Sequence, residues 1–230
     1  MNEFIETSVF FGVLISLVSY GLGIWLKKRF RLGILNPLLI SIVLTIAVLL
    51  LLDIDYDTYY EGARYLSYLL TPATVCLAVP LYEQFELLKK YKTALVLGIG
   101  AGVLTSICTV LILAVLFCLD HSTYVTLLPK SITTAIGMGI SEELGGYVSV
   151  TVAVIIITGV LGNILAESVC RLFRITEPIA KGIAVGTASH AIGTARAMEM
   201  GEVEGAMSSL SIVVAGILTV AAAPVFAHFL

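Results

Sequence analysis

Uncharged apolar runs long enough to cross a lipid bilayer recur along this chain, and that recurrence decides its class. Residues 8–26 carry no charge over nineteen positions and residues 93–119 none over twenty-seven, where a spanning helix needs ~20 mostly apolar residues. With 59% hydrophobic and only 13% charged residues and a mean hydropathy of +1.04, the chain has too little charge to cover a water-facing surface. The expected fold is an all-α polytopic membrane protein, one transmembrane domain over residues 1–230, with about six to eight membrane segments that include re-entrant or broken helices. A net charge of −3 with no basic face argues against nucleic acid as a partner. Cys76, Cys108, Cys118 and Cys170 lie in apolar runs without metal-ligand spacing, which reads as free thiols with no disulfide, metal site or cofactor. Acids before the first run, and no small-residue cleavage site after it, argue against a removable signal peptide.

The charges between the runs set a sidedness. Lys27, Lys28, Arg29 and Arg31 follow the first run and mark a cytoplasmic side. Asn36-Pro37 starts a second run, with proline where the first helical turn tolerates it; the run ends at Leu52, before an outside acidic loop of Asp53, Asp55, Asp57 and Glu61. A third run, from about Ala63 to Tyr82, contains Pro72 and Pro80, which are expected to break the helix. It leads to Lys89, Lys90 and Lys92, cytoplasmic again, and the run over 93–119 then crosses to Asp120 and His121.

Two later stretches are too polar and glycine-rich for ordinary spanning helices. Residues 129–146, PKSITTAIGMGISEELGG, hold one cation, four hydroxyls, four glycines and a carboxylate pair between two apolar runs. Irregular backbone persists at bilayer depth only where protein buries it or a cavity borders it. If the stretch crossed, the helix after Tyr147 would deliver Arg171 and Arg174 outside; if it dips in and returns, they land inside. Charge favours a re-entrant segment over a crossing, with an amphipathic surface helix as the alternative. Residues 175–209 form the second stretch, broken by Gly182, Gly186 and Gly193, and within it Gly182 to Glu199 reads either as a crossing or as a second hairpin. Sliding the chain by 116 residues lays Gly21 on Gly137, Thr71 on Thr187 and Glu83 on Glu199, which suggests an inverted repeat with halves 1–115 and 116–230.

Helix N-termini and hydroxyls in such stretches suit a small anion. The candidate substrate-binding residues are Lys130, Ser131, Thr133, Thr134, Ser189, His190, Gly193 and Thr194; Glu142, Arg196 and Glu199 are candidates for proton coupling or gating. Each has a plainer reading: Lys130 and Arg196 as snorkelling cations, Glu142 as one of a solvated pair with Glu143, His190 as a structural histidine bonded to a carbonyl, and Glu199 as an i, i+3 partner of Arg196. Catalysis is disfavoured. Adjacent Ser189 and His190 point to different sides of a helix, and no Gly-x-Ser-x-Gly elbow or phosphate loop occurs.

PKSITTAIGMGISEELGG together with SHAIGTARAMEMGEVEGAMSSL, in that order in a chain of this length, resembles the LrgB/CidB family of bacterial membrane proteins. The resemblance covers nearly the whole chain. It implies a multi-pass protein of the bacterial inner (plasma) membrane, antiholin-like, acting beside a small LrgA/CidA-like membrane partner to modulate murein hydrolase export and lysis. It equally implies kinship with the C-terminal part of the plastidic glycolate/glycerate translocator, hence transport of small organic anions such as pyruvate, glycolate or glycerate, in a protein expected to be a homo-oligomer.

Overall fold

The computed structural model describes residues 10–30, 36–69, 72, 75–76 and 78–230. The chain divides into two compact units, Met1–Cys76 and Leu77–Leu230.

In the first unit, α1 (Phe11–Phe30) packs on α2 (Pro37–Leu52) and α3 (Tyr56–Ser67). The bounds of α2 follow from its caps. Asn36 Oδ1 accepts the Leu38 N–H at 2.8 Å, Pro37 occupies the first turn, and Asp53 closes the helix in a left-handed conformation. Small residues let the helices approach, as expected where lipid removes the hydrophobic drive for helix pairing: a Cβ on Gly12 would fall 2.2 Å from Tyr59 O and one on Gly23 2.6 Å from Pro37 O. The expected acidic loop is only partly loop, because Asp57 and Glu61 belong to α3. There the tyrosines at i and i+4, Tyr56 and Tyr60, stack at 5.8 Å. The third run is not one long helix: α3 ends at Ser67, before Pro72. Residues 70, 71, 73, 74 and 77 around Pro72 lie outside the described residues.

The second unit begins with two short helices, α4 (Ala78–Glu83), which contains Pro80, and α5 (Phe85–Lys90). Three long apolar helices then form its frame: α6 (Lys92–Leu116), α9 (Val148–Leu172) and α11 (Glu202–Ala227). With α1 they are long and apolar enough to cross a membrane. The 25 residues of α6 reach ~37 Å. Leu95, Ile99, Val103, Ile107, Val110 and Ala114 mark its buried stripe at helical spacing, packed with Tyr124, Leu128, Ile140, Met207 and Ala215.

Between α6 and α9 lie α7 (His121–Leu127) and α8 (Thr134–Glu143). Ten helical residues span only ~15 Å, about half of the hydrocarbon core. They form a hairpin that enters and leaves on one face. Pro129 on the incoming arm lies against Gly137 on the returning arm, and Tyr147 N–H donates to Thr126 Oγ1 at 2.8 Å. Gly145, at φ +79°, supplies the turn, and a Cβ on Gly146 would meet Ser141 Oγ at 2.6 Å.

Between α9 and α11, α10 (Pro178–Met200) is also a hairpin, which decides between the two readings of this stretch. Its helical conformation breaks at His190, φ 42° and ψ −141°. A Cβ on Gly193 would lie 3.1 Å from Val185 Cγ1, eight residues back, where an unbroken helix would separate them by ~12 Å. Val185 and Ala197 share one buried cluster with Ala166. The arms face α11 in opposite directions: Gly182 meets Glu204 and Gly186 meets Ser208, whereas Thr194 meets Ser208 and Met198 meets Gly205. The break expected of the glycines is made by the histidine.

The two hairpins enter this unit from opposite faces. His121 Nδ1 donates to Leu230 O at 2.9 Å and Tyr124 Oη to Phe226 O at 2.9 Å, so the first hairpin opens where α11 ends. Arg171, Lys181, Met200 and Glu204 border one pocket, and Tyr91 and Glu177 another, so the second opens where α9 ends and where α6 and α11 begin. Lys89, Lys90, Lys92, Arg171 and Arg174 gather on that second face, the side that the positive-inside rule expects in the cytoplasm. The result is an all-helical polytopic membrane protein with re-entrant segments, as expected.

Candidate functional site

The hairpins meet in the middle of the second unit. Ser131, at the tip of the first, lies 3.0 Å from Ser106 Oγ, near the midpoint of α6. Ser131 and Thr187 of the second hairpin border the same small void, about 10 Å³, with Ser106 and Thr219 as its other hydroxyls and Val103, Ile107 and Leu128 among its apolar walls. A void of that size holds about one water. Thr219 is 4% exposed and has no hydrogen-bond partner among the described residues, whereas Thr187 Oγ1 donates to its own backbone at Ile183 O, 2.7 Å away.

Lys130 is half-buried beside this void. Its Nζ donates to Ser131 Oγ at 3.0 Å, and it makes no ion pair among the described residues. An ammonium at such depth is costly without a negative charge to meet it. Because Lys130 is only a donor, Ser131 keeps its own proton for Ser106 or for a ligand.

The remaining candidates lie elsewhere. Ser189 and His190 face α9: the Ser189 hydroxyl fills the space a side chain on Gly162 would need, and His190 Nε2 donates to Ile155 O at 3.0 Å. Thr194 Oγ1 donates to His190 O at 2.9 Å and bonds Ser208 Oγ at 2.7 Å. Gly193 brings the two arms of the second hairpin together. Thr133 and Thr134, half-buried, begin α8 without a side-chain cap. Glu142 is exposed at the far end of α8. Arg196 and Glu199 form an ion pair at the mouth of the second hairpin, where Arg196 Nη2 also reaches Glu167 Oε1 at 2.7 Å and Lys181 Nζ lies 3.8 Å from Glu204. That mouth borders a polar pocket of about 400 Å³. A second groove, about 600 Å³ and mostly apolar, runs between α6 and the incoming arm of the second hairpin from Tyr91 and Glu177 to Thr187.

Ser106 and Thr219 escaped the sequence reading because lone hydroxyls in spanning helices usually bond their own backbone. A signal for the pair of tips was nevertheless present. Ala135-Ile136-Gly137 and Ala191-Ile192-Gly193 are identical triplets 56 residues apart, and the same spacing lays Ser131 on Thr187 and Pro129 on Val185. Each triplet forms the first turn of a returning arm, and each glycine faces the residue eight positions earlier, Pro129 or Val185.

The LrgB-like family model matches residues 16–229. The antiholin-like protein LrgB of Bacillus cereus (strain B4264) is 38% identical over 222 residues, 96% of either chain, and that of Bacillus anthracis (strain A0248) is equally similar over the same span. No solved structure matches the chain. Matched over almost its full length both by the family pattern and by curated relatives, this chain belongs to the LrgB-like family of antiholin-like membrane proteins.

Proposed function

We propose that this chain is the substrate-translocating subunit for small monocarboxylates of the pyruvate, glycolate or glycerate type, set in a bacterial inner membrane and working with a small LrgA/CidA-like membrane partner. The observation that carries this reading is the meeting of two re-entrant hairpins from opposite faces at a hydroxyl-lined centre beside an ammonium with no ion-pair partner among the described residues. Half-crossing elements that converge near mid-membrane are a recurrent way of building a solute site in secondary transporters. A monocarboxylate supplies the single negative charge that Lys130 lacks, and a keto or hydroxyl oxygen on the next carbon matches the hydroxyls. Proteoliposomes with and without the partner, given labelled pyruvate under an inward proton gradient, test it. Uptake that falls at least tenfold in Lys130→Ala supports transport; no uptake in any arrangement defeats it. His190→Ala should reduce uptake less, because its imidazole holds the second hairpin to Ile155 O rather than facing the void.

The name antiholin-like, carried by the relatives, favours a second reading, a regulator whose polar residues pack against a holin-like protein. In that case the same substitutions change complex formation or the timing of lysis and leave solute flux untouched.

A further inference from the structure

The 56-residue spacing extends from the hairpin tips to the frame. Moving α6, which starts at Lys92, by that spacing brings it onto the start of α9 at Val148, and α9 onto the first turn of α11. The second unit is thus a crossing helix and hairpin, then another crossing helix and hairpin, then a closing helix. The two modules run in opposite directions, since the first hairpin opens on the face away from the lysines and the second on the lysine face. Ser131 and Thr187 occupy equivalent places in these modules and border the same void. An axis that exchanges the modules therefore passes between them.

Access to the void is unequal. On the cytoplasmic side the groove from Tyr91 ends at Thr187, which borders both groove and void. At the equivalent positions of the other module α9 carries Val154 and Thr158 where α6 has Gly98 and Gly102, and beside them Thr151 Oγ1 lies 2.7 Å from Ser141 Oγ and Ile155 Cδ1 covers Gly137. Two copies of one module in different arrangements are a pair of states that the same packing can exchange.

We propose that Ser131 and Thr187 are equivalent thresholds of one small-anion site, completed by Ser106, Thr219 and Lys130, reached from the cytoplasmic face past Thr187 and, when the modules exchange arrangements, from the opposite face past Ser131. The inference rests on the transport reading above and adds to it the residues and the two routes. The ligand carries one negative charge, because Lys130 is the only Lys or Arg at the tips among the described residues. It is small, because the hydroxyls are set among valine, isoleucine, leucine and alanine. At about 10 Å³ the void is too small for a three-carbon acid, so binding requires a hairpin tip to withdraw.

The test uses the full chain with its four cysteines replaced, carrying either Thr187→Cys or Ser131→Cys, in right-side-out and inverted vesicles treated with a membrane-impermeant maleimide. Thr187→Cys should label from the cytoplasmic face and Ser131→Cys from the opposite face, and pyruvate should slow both at least fivefold. Labelling of both from one face, or rates indifferent to pyruvate, overturns the proposal. If either cysteine variant fails to fold, Thr219→Val and Ser106→Ala in the native background decide. A rise of about tenfold in the pyruvate concentration needed to raise the melting temperature supports the site, and an unchanged concentration overturns it. Two-sided labelling with pyruvate protection but no wild-type uptake would keep the anion site and defeat transport; wild-type uptake indifferent to Ser106, Thr187 and Thr219 would do the reverse.

Discussion

The two hairpins share a plan and differ in how their mouths are closed. Hydroxyls close the first: Thr126, Ser141 and Thr151 bond one another and the Tyr147 N–H, all without charge. Ion pairs close the second, with Arg196 held by Glu167 and Glu199, and Lys181 beside Glu204. Neutral bonds within buried protein are insensitive to salt, whereas half-exposed ion pairs are weak and screened. The hairpin on the face with the open groove is therefore also the one whose closure responds to ionic conditions.

The largest expected effect separates the hairpins by packing. A Cβ on Gly186 would fall 2.5 Å from Ser208 O, whereas nothing lies within 4 Å of one on Gly139. Gly186→Leu should cost about 3 kcal/mol or more and lower the yield of monodisperse protein in detergent. Gly139→Ala, inside α8, should be neutral or raise stability by up to about 1 kcal/mol. Equal losses at the two positions would show that the two hairpins are packed alike. Next, Thr151→Val removes a fully buried hydroxyl from the mouth of the first hairpin and should cost about 1–2 kcal/mol, with a melting temperature that shifts equally at low and high salt. Arg196→Gln should cost less than about 1 kcal/mol overall. It should nonetheless speed hydrogen exchange in residues 191–200, as high salt should in the wild type; exchange there that ignores both would remove the contrast between the mouths. The smallest effect concerns pH. Thr123, through its hydroxyl and its N–H, holds the Asp120 carboxyl below its ordinary value of 3.8 at the entry to the first hairpin. A lowered folded-state value contributes stability above the ordinary value and loses it as pH falls through the folded one. Exchange in residues 121–127 should therefore rise only below about pH 4, and Asp120→Asn should abolish the dependence.

What could be read from the sequence depended on whether the signal was local. Asn36-Pro37 and Asp53 gave the limits of α2, because caps act within one turn. The first hairpin was legible from charge, since Arg171 and Arg174 had to return to the side of Lys92. The second stayed open because its break sits at His190, neither glycine nor proline, and is secured by Ile155 O from another helix. Lys130 and Ser131 stood out as polar residues in an apolar context. Ser106 and Thr219 did not, because only the arrival of the hairpin tips distinguishes them from any other helical hydroxyl. The 56-residue spacing was equally hidden, resting on one identical triplet whose meaning appears once both copies are seen beginning a returning arm.

The left-handed backbone at His190 reverses a familiar ranking. Within a helix alanine is favoured over glycine by about 1 kcal/mol, but at φ 42° every side chain bears a steric penalty that glycine escapes. Once the imidazole is removed, a glycine at this apex should yield the sturdier protein and an alanine the frailer one, the opposite of what either neighbouring turn would show.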